Sequence, residues 1–173
     1  HSFPTRRSSD LLNMAKEALD KSIGFVSDGN GYYEDGSYID HGNLAYTGGY
    51  GSTLLGGIEK LLFIVDGSPW EVADDKLTSI FQWIWTGIRP LYADGAMMDM
   101  TTGRGIARPS TNDQTVGRGL LKPVSHLADI APADEREAFR AFAKTEIQAG
   151  LEYNEDFFLG MTVADMTAMK NLL

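Results

Sequence analysis

Apolar residues return every three or four positions along most of this chain, in short stripes cut apart by glycine, proline and aspartate. That pattern commits it to helices packed on helices. The clearest stripe, Leu54, Leu55, Ile58, Leu61, Leu62 and Val65, predicts a helix over 50–65 that stops at Asp66-Gly67-Ser68-Pro69. A second runs through Leu77, Ile80, Phe81, Ile84, Trp85 and Ile88 and predicts a helix over 74–92, broken by Pro90. Further helices are expected over 11–26, 111–130, 133–151 and 161–173, the fifth of the six started by Pro132. Only 96–101, with Gly103, Gly105 and Pro109 behind it, reads as a short strand or extended loop. Helices joined by short loops imply an all-α bundle or an α/α toroid.

The 173 residues suffice for one domain with a real core. A formal net charge of −9 without clustered Lys and Arg argues against a nucleic-acid partner. No apolar run approaches the roughly 20 residues that cross a bilayer, so no membrane partner is expected. The absence of cysteine removes disulfides, thiolate nucleophiles and thiolate metal sites, and leaves the compartment open. Residues 1–11 read like one frame of a common short-read sequencing adapter and are expected to be foreign to the fold.

Between Asp35 and Gly51 the chain concentrates one histidine, three tyrosines and five glycines in seventeen residues, more than core packing asks for. Imidazole exchanges protons near neutral pH, tyrosine does so when positive charge stands nearby, and glycine lets a substrate approach the backbone. The segment lacks the Gly-Lys-Ser/Thr ending of a phosphate loop and the strand and glycine spacing of a dinucleotide fold. Asp28-Gly-Asn30-Gly fails as a calcium loop, with Tyr33 where the turn glycine belongs and Ile39 where the bidentate Glu belongs. No metal and no cofactor is expected. Asp35, Asp40 and Asp99 leave a hydrolase with paired carboxylates as a lesser reading.

An elimination fits better. Abstracting the C5 proton of a uronate requires a neutralised carboxylate, a base for C5–H and an acid for the leaving oxygen. Arg104 and Arg108, four apart in Gly103-Arg-Gly-Ile-Ala-Arg108, supply a local cationic field in an acidic chain. Asp35-Gly-Ser-Tyr-Ile-Asp-His-x-Asn-x-Ala-Tyr-Thr-Gly-x-Tyr-Gly51, followed by Met98-Asp-Met-x-x-Gly-Arg-x-Ile-x-Arg108, resembles the catalytic domain of polysaccharide lyase family 8, which includes hyaluronate, chondroitin AC and xanthan lyases. The resemblance covers nearly all of 12–173, and its first motif is closer to the hyaluronate and xanthan types.

The resemblance implies that His41 and Tyr50 are the catalytic pair, with Arg104 and Arg108 beside the scissile bond. In the family scheme the tyrosine takes the C5 proton or protonates the bridging oxygen, and the histidine assists as base. A start of helix 50–65 close to Tyr50, with Arg104 nearby, would favour a phenolate. Asp40 matches an acidic patch near the family's cleft, although Asn30 stands where some members have Glu. Asn43 and Trp83 are secondary candidates for sugar contact, with Trp85 assigned to the core and Tyr46 to packing under the loop. His126 reads as a satisfied helix histidine, and Asp134-Glu-Arg-Glu137 as the acidic first turn of a helix.

The resemblance further implies that 12–173 is the C-terminal part of the α/α-toroid domain of a secreted, monomeric lyase acting on an acidic polysaccharide. The family's essential asparagine, its aromatic patch and its C-terminal antiparallel β-sandwich domains then fall outside the chain. A segment of this extent is expected to be inactive alone. A non-catalytic domain that binds anionic glycans is the rival expectation.

Overall fold

The computed structural model describes residues 5–173. Residues 1–4 of the adapter-like segment lie outside the described residues, while 5–11 open the first helix, α1 (Thr5–Ser22). α1 stops short of the expected 26, where the Ser22 hydroxyl turns back onto the Leu19 carbonyl at 2.7 Å. The fold is all-α as the stripes require: α2 (Ser52–Val65), α3 (Asp74–Gln82), α4 (Asp113–Leu127), α5 (Arg136–Tyr153) and α6 (Val163–Lys170) follow.

α4 is the hub, packed against α2, α5 and α6. It starts sharply because the Asn112 side chain accepts the Thr115 N–H at 2.7 Å, and it buries Leu120, Leu121, Val124 and Leu127. The short connection to α5 makes the two antiparallel neighbours. On α5, Phe139 is fully buried edge-on to Phe81, 5.1 Å between centroids, so α3 and α5 share one aromatic seam. α6 begins with a reciprocal cap: Asp165 N–H donates to the Thr162 hydroxyl, and Thr162 N–H donates to the Asp165 carboxylate. Asp165 also pairs with His126 of α4 at 3.0 Å, which satisfies that histidine as expected.

The helix expected over 74–92 is not continuous. α3 gives way at Trp83 to a π-helical turn (Trp83–Ile88), then to a 3₁₀ turn (Arg89–Leu91) holding Pro90. The wider turn sits where Gly87 meets the Gly36 backbone so closely that an added Cβ would stand 2.4 Å from the Gly36 oxygen.

Two small antiparallel sheets interrupt the helices. Three strands, β1 (Gly31–Tyr32), β2 (Tyr38–Asp40) and β3 (Leu44–Ala45), pair in that order, with Tyr32 opposite Tyr38 and Asp40 opposite Leu44. The stripes gave no sign of them, because strands of two or three residues are too short to show a period. The second sheet is a hairpin of β4 (Tyr92–Ala93) and β5 (Ala96–Met97), turned by Asp94 and Gly95, both at positive φ. Its second strand opens the segment expected to be extended, but that segment ends in a 3₁₀ turn at Asp99–Thr101, and a second 3₁₀ turn follows at Gly103–Ala107.

Candidate active site

The glycine- and tyrosine-rich segment folds as the edge of the first sheet followed by a π-helical turn, Thr47–Gly51, that feeds directly into α2. β2 ends at Asp40, and the chain reverses through His41 (φ 50) and Gly42 (φ 87) into β3. A left-handed histidine is uncommon and marks a constrained position. The π turn is closed by Gly49 and Gly51 N–H groups donating to the Tyr46 carbonyl, both at 3.1 Å, and by the Ser52 hydroxyl donating to the Gly49 carbonyl at 2.8 Å.

These turns gather three rings. His41 and Tyr50 lie 5.1 Å apart between centroids, Tyr46 and Tyr50 5.0 Å, and His41 and Tyr46 5.8 Å. Their exposures differ: Tyr46 is 4% exposed and forms the floor, whereas Tyr50 at 38% and the His41 side chain at 51% open to solvent. Tyr50 stands two residues before Ser52, in the π turn that leads into the positive end of α2.

Tyr46 does more than pack under the loop. Its hydroxyl accepts the Arg104 N–H at 3.2 Å, and its ring lies between two glycines that have no room for a side chain. A Cβ on Gly49 would stand 2.4 Å from that ring, and one on Gly103, itself at φ 54, would stand 2.1 Å from it. The signal was in the sequence as glycines beside Tyr50 and Arg104, but nothing there tells which ring the glycines make way for.

Arg104 leaves the 3₁₀ turn Gly103–Ala107, and Arg108 follows in extended backbone, the conformation Pro109 demands. Both are exposed and line one cleft of about 210 Å³ with Tyr46, Tyr50 and Thr102. No carboxylate lines that cleft, and among the described residues neither guanidinium is ion-paired, so Arg108 does not pair with Asp113. The cleft is therefore a cationic spot on a chain of net charge −9.

Three expected sugar contacts fare differently. Trp83 is corrected: it is 1% exposed and stacked on Tyr32 at 4.7 Å, because the helical segment is covered on both sides. Its neighbour Trp85 is the half-buried one, donating from Nε1 to Glu135 at 2.8 Å, so Glu135 also does more than open a helix. Asp40 is corrected as well. Its carboxylate turns inward and accepts from Tyr38, Asn30 and His41, which leaves it little to offer a sugar. Burial, the Asp40 charge and the hydrogen bond to it push the Tyr38 phenol up to about 12, so it remains a donor. Asn43 stays exposed in the turn after His41, away from the cleft lining.

The site thus sets a proton-exchanging imidazole against an exposed phenol, next to two unpaired guanidiniums. The family profile described as polysaccharide lyase family 8, N terminal alpha-helical domain, matches residues 5–145. The chain belongs to that family. A xanthan lyase of Bacillus sp. (strain GL1) is 43% identical over 124 residues, 72% of this chain and 13% of the relative. A hyaluronate lyase of Thermasporomyces composti is 31% identical over 163 residues, 94% of this chain and 21% of the relative. Among solved structures, the Streptomyces coelicolor A3 chondroitin AC lyase in complex with chondroitin sulphate superposes with a TM-score of 0.81 at 28% identity. The match covers 96% of this chain and 24% of that one. The helices accordingly form part of the α/α toroid of these lyases, and the chain spans about a fifth or less of the curated relatives' length.

Proposed function

We propose that this segment carries the proton-transfer centre of a lyase that cleaves a uronate-containing polysaccharide such as hyaluronan by β-elimination. The observation that carries the reading is the contact of His41 with Tyr50, 5.1 Å between centroids, where Tyr50 lines a cleft whose charged lining among the described residues is Arg104 and Arg108. The His41–Tyr50 pair takes the C5 proton, and the electron pair of that bond becomes the C4–C5 double bond. The C4–O bond breaks with its electrons on the bridging oxygen, to which the pair returns a proton. The guanidiniums favour the negative charge that builds on the uronate carboxylate as C5 loses its proton. No step needs a redox partner or added water. A substrate of this size is met outside the cell, which agrees with a secreted enzyme.

The test is a graft. This segment, exchanged for its counterpart in the Bacillus xanthan lyase, is offered hyaluronan, chondroitin and xanthan side by side, with ultraviolet absorbance of the new unsaturated uronate as readout. A rise supports the reading, the choice among the three polymers being set by the host's own aromatic patch and β-sandwich domains. A folded graft that binds these polymers and yields no unsaturated ends sinks it in favour of an anionic-glycan-binding domain.

A further inference from the structure

We propose that Asp40 is a positioning residue that holds His41 in the tautomer protonated on Nδ1, so that Nε2 presents its lone pair to the site. The inference rests on the reading of His41 as a proton-transfer group. A carboxylate has no proton to give, so its charge favours a proton on the ring nitrogen nearest to it. His41 Nδ1 stands 2.9 Å from Asp40 Oδ1, and the His41 N–H donates to the same oxygen at 2.6 Å. The aspartate cannot easily swing away. Tyr38 donates to Oδ2 at 3.2 Å, and Asn30 Nδ2 donates to Oδ1 at 3.3 Å.

Asn30 also accepts the Gly42 N–H at 3.3 Å, which ties down the far side of the turn. The backbone of His41 is thus fixed on both flanks, while half of its ring stays open to solvent. Burial and the Asp40 charge push the Tyr38 phenol up, so this donor to Asp40 is in place at neutral pH. In water a free imidazole prefers the proton on Nε2, the form in which the exposed nitrogen could not act as base. Asp40 inverts that preference, as the buried aspartate does in a Ser-His-Asp triad.

The measurement uses the 173-residue chain itself, labelled with ¹⁵N and held above the titration range of its histidines, with long-range proton–nitrogen correlations of the rings. His126 supplies an internal reference of the opposite kind, since it meets Asp165 through Nε2 at 3.0 Å. The expected spectrum shows His41 protonated on Nδ1 and His126 on Nε2. In Asp40→Ala the His41 pattern moves toward Nε2–H while that of His126 is unchanged. His41 protonated on Nε2 in the unaltered chain overturns the proposal, whether or not Asp40→Ala folds; so does an unshifted His41 in a folded Asp40→Ala. Neither result touches the lyase reading, which stands or falls on unsaturated product from the graft.

Discussion

The helical body around α4 and α5 and the turn cluster around Tyr46 are held together by different means. The body buries large apolar side chains such as Phe139, Leu120 and Ile147 in a continuous core, where many small contacts share the load. The cluster has strands of two or three residues, a π turn and two 3₁₀ turns, and relies on one ring between two glycines and on hydrogen bonds to backbone groups. Stability belongs chiefly to the first region and placement of the candidate site to the second. Substitutions should therefore separate the two.

The largest separation is expected from Tyr50→Phe in the graft. Its exposed hydroxyl has no partner among the described residues, so stability should stay within about 0.5 kcal/mol. Turnover should fall by roughly 10²- to 10⁴-fold. Near-full activity of that variant would remove Tyr50 from the chemistry. Phe139→Ala should do the reverse, costing about 3–5 kcal/mol in denaturant unfolding while the activity of each folded molecule is kept. A comparable loss of specific activity would show that the two regions are not separate.

Gly103→Ala joins them: the new methyl meets the Tyr46 ring, and a cost of about 1–3 kcal/mol should come with displacement of Arg104, read as weaker binding of an anionic oligosaccharide. Unchanged binding would mean that Arg104 is placed by something other than Tyr46. The smallest effect lies at the edge of the body, at the α6 cap. Burial raises the Asp165 carboxyl, but hydrogen bonds from Thr162 and His126 outweigh it and hold the group below its ordinary value of 3.8. A depressed acid contributes stability that is present above that ordinary value and is lost as pH falls through the folded one. Thermal melts of Asp165→Asn should therefore lie below those of the unaltered chain at neutral pH and converge with them in acid. Curves that stay parallel to the lowest pH would exclude the cap as the cause.

The same division decides what the sequence could show. α2, α4 and α5 were legible because a buried face must repeat with the helix period, and only their ends moved by a few residues. The strands around Tyr38 were not, since two or three residues are too few to show an alternation, although their partners lie only four to eight residues away. His41, Tyr50, Arg104 and Arg108 could be picked out as a motif of reactive side chains, and the fold brings Tyr50 and both arginines to one cleft with His41 against the tyrosine. Trp85 packs against the core as read, but the assignment of Trp83 failed because periodicity tells that the two residues face different ways, not that both faces are covered. Asp40 failed for a related reason: a carboxylate next to a catalytic candidate looks the same in sequence whether it faces the ligand or the histidine.

The fit between Tyr46 and Gly103 also bears on how such chains are inherited. Two segments more than fifty residues apart must match at one contact, so a recombination that joins residues 46–51 of one ancestor to residues 103–108 of another succeeds only when ring and glycine travel together. Exchange of the intervening helices is free of that constraint. The intervening helices can therefore diverge while the ring and the glycine that makes room for it are passed on as a single unit.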